Sequence, residues 1–354
     1  TTTSMCGISG GMAVIVKSAP DTSQKLAVLS RDSRYDLACS CATQKDEHRV
    51  RSKEGTWVYP VQLPNGGSTY LFKTLLSNDC VNNCHYCPLR SRSAETVCTL
   101  TPEELARTFM SYYCSGRVSG LFLSSGVTRN ADDTMSRLNA TARLLRRSRF
   151  KGYIHLKIIP GASEAAMRES LRLASAVSLN MEAPGEKNFR HLSTTKDYWK
   201  DVIRPIEFLS RMTAKGAPFA GVKKTTQFVV GASTETDREI MDASSQLYRR
   251  MGLSRVYFSA YQRGAGSPEL PGERSNVSGD QMLTREHRLY QVDWLVRKYG
   301  FRVDEIPVGP DGNLSLERDP KAMWAEAHPE FFPVNANTAE SWQLLRVPGL
   351  GQVM

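Results

Sequence analysis

Three thiols crowd one short stretch of this chain. "NDCVNNCHYCPLR", residues 78–90, carries Cys80, Cys84 and Cys87 at the spacing C-x3-C-x2-C, with Tyr86 just before the last cysteine. Thiols held this close together serve a metal. A structural zinc site closes a tetrahedron with four protein ligands and would need a distant fourth, such as Cys98 or His85. A four-iron cluster held by three cysteines instead keeps one iron without a protein ligand, open to a substrate or cofactor. Spacing alone leaves both chemistries standing.

The elements around the loop bear on that choice. From residue 70 onward, apolar strand-like runs alternate with amphipathic stretches. "TYLFKTLL" leads into the cysteine loop, and "TPEELARTFMSYY" starts a helix with a Thr cap, Pro in the first turn and acids after it. Then come "GLFLSS", a helix over residues 134–147, "YIHLKIIP", a helix from Ser163, and "AVSLNME". A helix over 197–214 follows, then "TTQFVVG", a helix over 236–251, "RVYFSAY" and a helix over 285–299.

Six β-α units in series predict parallel strands wound right-handedly, with helices outside and ligands at the carboxyl ends of the strands. The expected fold class is α/β: a partial (β/α)6 TIM-like barrel over residues 69–300. An N-terminal extension, 1–68, holds one helix over 23–31 and a polar run, and a C-terminal extension spans 301–354. The cysteines stand in the loop directly after the first barrel strand, which favours the iron–sulfur chemistry.

With that placement the sequence resembles the radical SAM superfamily, whose C-x3-C-x-aromatic-C loop is matched by Cys80, Cys84, Tyr86 and Cys87. The resemblance implies a [4Fe-4S] cluster on the three cysteines and S-adenosylmethionine chelated to the open iron. It also implies reductive cleavage of that cofactor to a 5′-deoxyadenosyl radical, which abstracts hydrogen from an organic substrate. An electron donor follows, a reductase or a flavodoxin or ferredoxin.

The same resemblance nominates cofactor contacts. Ser124, Ser125 and Gly126 occupy the place of a Gly-Gly-Glu stretch that holds the methionyl amine. Asn180 and Glu182 end the fourth strand, near ribose or carboxylate. Gly231 and Glu235 fit a G-x-x-x-E segment near adenine, and Tyr261 follows the sixth strand. Tyr86 meets adenine through its backbone. Read singly, a Gly after a strand is a turn, and Glu182 or Glu235 a helix-start acid. Their joint order along the chain carries the weight.

Longer stretches, among them "KLAVLSRDSRYDLACS", "FLSSGVTRNADDTM", "YIHLKIIPGAS", "TQFVVGASTETDREI" and "LLRVPGLG", resemble radical SAM proteins labelled putative DNA modification or repair proteins. That resemblance implies a nucleic-acid or nucleotide substrate and a uracil-DNA-glycosylase-like partner. It also implies a C-terminal helix-hairpin-helix, of which residues 348–351 supply the hairpin while the sequence stops at Met354. Small-molecule or nucleoside biosynthesis is the alternative substrate class, and a zinc-containing nucleic-acid-binding module without redox chemistry is the alternative outside it.

Cys39 falls inside the resemblance and is the candidate for a catalytic role, while Cys6, Cys41, Cys98 and Cys114 read as buried thiols. Tyr261, Gln262 and Arg263 lie in a Gly/Pro-rich loop bordering the substrate opening. Along 285–301, Leu289, Val292, Leu295 and Val296 form an apolar face, with Glu286, His287 and Asp293 read as solvated or capping.

Of 354 residues, 40% are hydrophobic and 23% charged, an ordinary globular composition that excludes wholesale disorder. The net charge of +10 suits a polyanion partner or simply a solvated basic surface, and its densest run is "RLLRRSRFKG", residues 143–152. No stretch reaches the roughly eighteen apolar residues of a bilayer span, and the first residues lack the charged and apolar regions of a signal peptide. No membrane is expected as a partner, and the expected location is cytoplasmic.

Overall fold

The computed structural model describes residues 20–33, 57–62, 67–92 and 96–352. Cys6, Cys39 and Cys41 lie outside the described residues, and with them the catalytic role expected of Cys39.

The expected six parallel strands are β2 (Ser68–Leu75), β3 (Gly120–Ser124), β4 (Tyr153–Lys157), β5 (Ala176–Ser178), β6 (Lys223–Val230) and β7 (Arg255–Ala260). They pair in sequence order to form a curled half-barrel. A seventh strand, β1 (Val58–Gln62), was not anticipated. It pairs antiparallel with β2, Val58 opposite Phe72 and Gln62 opposite Ser68. Pro60 obscured it: proline reads against a central strand but is tolerated on an edge, and β1 pairs on one side only.

Helices begin where their caps dictate. In α2 (Pro102–Cys114), Thr101 and Glu104 form a reciprocal capping box, repeated by Thr236 and Glu239 for α7 (Asp237–Met251). Asn130 caps α3 (Ala131–Arg147) and Ser163 caps α4 (Glu164–Leu173). The N-terminal helix, α1 (Thr22–Asp32), packs Leu26 and Leu29 into the core and ties Lys25 to Glu104 at 2.9 Å.

Other boundaries moved. A short α5 (Glu186–Leu192) precedes the segment expected as one helix over 197–214. That segment is a π-helical turn, Tyr198–Ile203, running into α6 (Arg204–Met212). Pro205, with no N–H for the helical ladder, stands at the joint. The last barrel helix, α8 (Gly279–Tyr299), starts earlier than its apolar stripe, on a Ser278–Gln281 capping box. Two short helices follow, α9 (Pro320–Ala327) and α10 (Ser341–Leu344), the latter a single turn.

The polar residues of α8 are not solvated as expected. Glu286 is buried and accepts from Ala260 N at 2.5 Å, and buried Asp293 binds Arg297 and the Tyr248 hydroxyl. These contacts also give the helix its direction. Glu286 meets the carboxyl end of β7, whereas Asp293 works through Tyr248, whose hydroxyl accepts from Val256 N near the strand's beginning. The last turn of α8 therefore sits at the amino-terminal end of the barrel.

The basic run, read as a polyanion track or a solvated surface, and the hairpin implied by the resemblance gather at that same end. In the basic run, Arg143 pairs with Glu169 at 2.8 Å, and Arg146 donates to the carbonyls of Leu173, Phe150 and Gly152, each at 2.9 Å. These two cations fasten α3 to α4 and to the entry of β4. The hairpin at 348–351 is clasped between α9 and the end of α8: Lys321 of α9 donates to Leu350 O at 2.6 Å and Gln352 to Lys298 O of α8. Arg146→Ala is expected to lower the unfolding free energy by about 2 kcal/mol, because charged hydrogen bonds are lost. Arg147→Ala on the exposed side is expected to change it by less than about 0.5 kcal/mol. Urea titration of the two variants distinguishes the roles.

Candidate active site

The cysteine loop leaves the end of β2 and is fixed by three neighbours. On the β3 side, Leu76 N donates to Ser124 O, Gly126 N to Ser77 O and Val81 N to Val127 O, at 2.7–2.8 Å. On the α5 side, His85 donates through its backbone N to Leu192 O at 2.8 Å and through Nδ1 to His191 O at 3.0 Å. On the β7–α8 side, Arg90 spans from Cys87 O to the carbonyls of Ala265 and Gly266, and Ser267 N donates to His85 O. Asn78 adds a fourth hold by donating to Asp32 Oδ2 and Thr96 O while accepting from Cys98 N, all at 2.7 Å.

Gly126 has a steric role beside any role in binding. A Cβ there would lie 2.5 Å from Asp79 O and 3.2 Å from the Cys80 Cβ, so only glycine lets β3 pass this close to the loop.

The three thiols feel one another. Burial pushes the Cys80 thiol up, and Cys84 adds to the shift. Burial pushes Cys87 up to about 12, again with Cys84 contributing. As thiolates they need a compensating cation. One is present: Lys196, which donates to Cys84 and lies close enough to feel Cys80 and Glu182. Burial opposes its charge, but the Cys84 and Glu182 charges outweigh that and hold it above the usual lysine range.

Soft thiolates that repel one another at the mouth of a barrel fit an iron–sulfur cluster. Among the described residues, neither fourth zinc ligand expected from the sequence, His85 or Cys98, lines the cavity beside the triad. His85 Nδ1 is committed to His191, and the Cys98 thiol has Lys25, Asp32 and Arg31 as neighbours, none of the three cysteines. Among the described residues, no group of three or more His, Cys, Asp or Glu is placed to hold a single metal ion.

A cavity opens beside the triad, at the carboxyl ends of the strands. Cys80, Cys84, Cys87, Tyr86, Ser124, Ser125, Gly126, Asn180, Glu182 and Tyr261 all line it. Glu182 is no helix-start acid. It is buried, bridges in parallel to Phe228 of β6, and holds φ at +64°, a left-handed backbone rare for glutamate. Its carboxylate accepts from Asn180 at 3.4 Å and from Tyr86. Burial, then the Glu182 charge, raises the Tyr86 hydroxyl well above its ordinary range, so it stays a donor.

Tyr261 contributes less than expected, since its hydroxyl is committed to Glu273, which also accepts from Gly264 and Gly266. Gly231 and Glu235 stand outside the lining. Glu235 accepts from Gly231 N at 2.5 Å and from Ser233, and its carboxylate lies 3.6 Å from Arg285, which also binds Asp237 at 2.7 Å. This buried knot shapes the turn after β6, and Gly231, at φ +82°, lets the chain make that turn. Both residues position the site without lining it.

Sequence reasoning missed Asp32, Lys157, Lys196, Gln227 and Ser259, all in the lining. Lys157, Gln227 and Ser259 had a signal: polar side chains at inward positions of otherwise apolar strands. Lys196, in the polar loop "STTKDYW", had none.

Residues 74–247 match the family model of the Radical SAM superfamily. That stretch of the chain is similar to a radical SAM domain. Domains of this superfamily belong to enzymes that use a [4Fe-4S] cluster and S-adenosylmethionine. Among solved structures the chain is similar to HydG, a maturase of the [FeFe]-hydrogenase, at 14% identity and a TM-score of 0.47, over 62% of this chain and 49% of that one. The HydG structure from Carboxydothermus hydrogenoformans gives 15% identity and a TM-score of 0.46, over 62% and 50%. Methylornithine synthase (PylB) gives 15% and 0.48, over 62% of each chain. The chain thus spans about half the length of HydG. No curated protein matches the chain. None of these matches points to DNA modification or repair or to a glycosylase-like partner. Among the described residues no helix is long and apolar enough to cross a membrane.

Two variants test this geometry. Cys84→Ala is expected to abolish iron binding and the brown colour of anaerobically reconstituted protein while the barrel still folds. Gly126→Ala, which drives a methyl into the Asp79 carbonyl, is expected to lower iron content by at least about half, because overpacking displaces the loop. Iron and sulfide analysis with far-ultraviolet circular dichroism reads both.

Proposed function

We propose that this chain is a radical SAM enzyme that reductively cleaves S-adenosylmethionine and abstracts hydrogen from a small polar molecule. The observation carrying the reading is the thiol triad of Cys80, Cys84 and Cys87 at the barrel mouth, with the Lys196 ammonium beside it. When bound, the cluster supplies the electron that splits the cofactor into methionine and a 5′-deoxyadenosyl radical.

The residues of the chain bind and shield. Three cysteines would hold three irons. Lys196, next to the triad, suits the cofactor's carboxylate, and the Ser124–Ser125 turn, with its hydroxyls and carbonyls, suits its amine. Tyr86 and Asn180 orient Glu182 toward the same space. The strands wall off a radical that would otherwise react with solvent or the wrong partner. An external one-electron donor, a flavodoxin, ferredoxin or reductase, completes the reaction.

A small substrate is favoured over a polymer because the site is a cavity inside the barrel. The basic run and the hairpin, which supported a nucleic-acid substrate, sit at the opposite end and are partly consumed by internal bonds. Anaerobically reconstituted protein with a strong reductant is expected to release 5′-deoxyadenosine at a slow rate that duplex DNA, single-stranded DNA and RNA leave unchanged. Several-fold stimulation by any of these polymers would overturn the small-molecule reading. Lys196→Met is expected to weaken S-adenosylmethionine binding about tenfold or more, measured on the cluster-loaded fraction of the variant, since a charged hydrogen bond to a carboxylate is removed.

A further inference from the structure

Most polar side chains around the cavity already have partners. Lys196 serves Cys84, Glu182 accepts from Tyr86 and Asn180, Asp32 accepts from Asn78, and the Tyr261 hydroxyl is committed to Glu273. Lys157 and Ser259 are engaged as well. Gln227 differs. It is 8% exposed and lines the cavity, and among the described residues nothing hydrogen-bonds its side-chain amide. Its backbone is spent on the sheet, the carbonyl accepting from Glu182 N at 2.9 Å.

The fold does not require an amide here. Along β6 the side chains alternate, so Gln227 and Val229 face the cavity while Thr226, Phe228 and Val230 point away from it. Val229 shows that an apolar side chain suits this face, and burying an amide without a partner costs stability. A ligand that supplies the missing bonds accounts for that cost. The neighbouring strand sets a second amide beside the first. Leu179 N donates to Thr225 O and Glu182 N to Gln227 O, which brings Asn180, 7% exposed and also in the lining, level with Gln227. Asn180 makes one long bond, donating to Glu182 at 3.4 Å. Both amides are uncharged, and each offers an N–H donor and a carbonyl acceptor. An anion would satisfy the Gln227 N–H but be repelled by its carbonyl oxygen, whereas a neutral amide satisfies both. Gln227 also stands four residues before Gly231, about 13 Å along the strand at roughly 3.3 Å per residue, and so is removed from the turn that the resemblance puts near adenine.

We infer that Gln227, with Asn180 beside it, is a specificity-determining residue that reads a neutral amide edge on the substrate, a primary carboxamide or a lactam, through one donated and one accepted hydrogen bond. This rests on the radical SAM reading, which gives the cysteine-loop side of the cavity to the cofactor. A substrate analogue with a carboxylate in place of the amide leaves the Gln227 carbonyl unpaired and is rejected for that reason.

The test uses cluster-loaded protein saturated with S-adenosylmethionine. Thermal unfolding is followed against succinamide, a primary carboxamide, and against γ-butyrolactam, with succinate at matched ionic strength as the reference. A saturable rise in Tm with succinamide alone identifies a carboxamide-bearing substrate, with γ-butyrolactam alone a lactam, and with both an amide edge of either kind. Gln227→Met, close in shape and without an N–H to donate, is expected to weaken that response about tenfold or more, since two hydrogen bonds are lost. Without added amide the same variant is expected to unfold about 1 °C or more above the parent, because an unpaired buried amide has been removed. An amide with a structural task would give the opposite sign.

The assignment is overturned if neither amide raises the Tm beyond succinate, if Gln227→Met responds like the parent, or if that variant unfolds below the parent. It is overturned as well if Gln227→Met weakens S-adenosylmethionine binding about tenfold, since the amide would then serve the cofactor. Release of 5′-deoxyadenosine by the parent protein checks the underlying reading separately. With cleavage present and no amide response, the Gln227 assignment alone fails. With no cleavage, both fail.

Discussion

The crowding of three thiols into one loop at the barrel mouth is the constraint that the rest of the structure serves. Cys84 is its centre, because its charge disfavours ionisation of Cys80 and Cys87, raises Tyr86 and stabilises the Lys196 ammonium. A loop under that strain holds its shape only if something else fixes its backbone. The chain supplies the fixing from three directions, with Arg90 bridging to the β7–α8 loop, His85 anchoring to α5, and β3 passing so close that only Gly126 fits. The open half-barrel brings these distant segments to one rim, and the capping boxes and the buried Arg285 knot hold the rim in place.

Charge is divided along the barrel axis. Helix ends at the amino-terminal face carry the basic run and the clasped hairpin, and several of those cations are spent on carbonyls that would otherwise lack partners. The carboxyl end mixes acids, thiols and two lysines around a cavity. Net charge therefore says little about substrate here, because the cations that inflate it are remote from the chemistry.

The periodic alternation of strands and helices made the barrel legible in the sequence. The cysteine loop was equally legible, because metal binding demands ligand types at fixed spacing. Ser124, Ser125, Gly126, Asn180 and Glu182 followed from their place after strands and do line the cavity. What stayed hidden depends on contacts across the chain. β1 was masked by Pro60, α5 is too short for a periodic signal, and Lys196 gains its meaning only when residues 84 and 196 meet. Glu235 and Gly231 were placed at the right strand end, but a pattern of Gly and Glu does not reveal that the carboxylate turns back onto its own backbone. Glu286 and Asp293 looked solvated because a single sequence does not show that β7 and α7 present the backbone N–H and hydroxyl that they satisfy.

The central claim is that Cys80, Cys84 and Cys87 hold a four-iron cluster whose remaining iron takes S-adenosylmethionine. Electron paramagnetic resonance of the dithionite-reduced protein, recorded with and without S-adenosylmethionine, tests it most directly. The account predicts a reduced-cluster signal whose g values shift when the cofactor is added, and loss of that signal in Cys84→Ala. A protein that binds one zinc without sulfide and gives no such signal, or a signal indifferent to the cofactor, would contradict it.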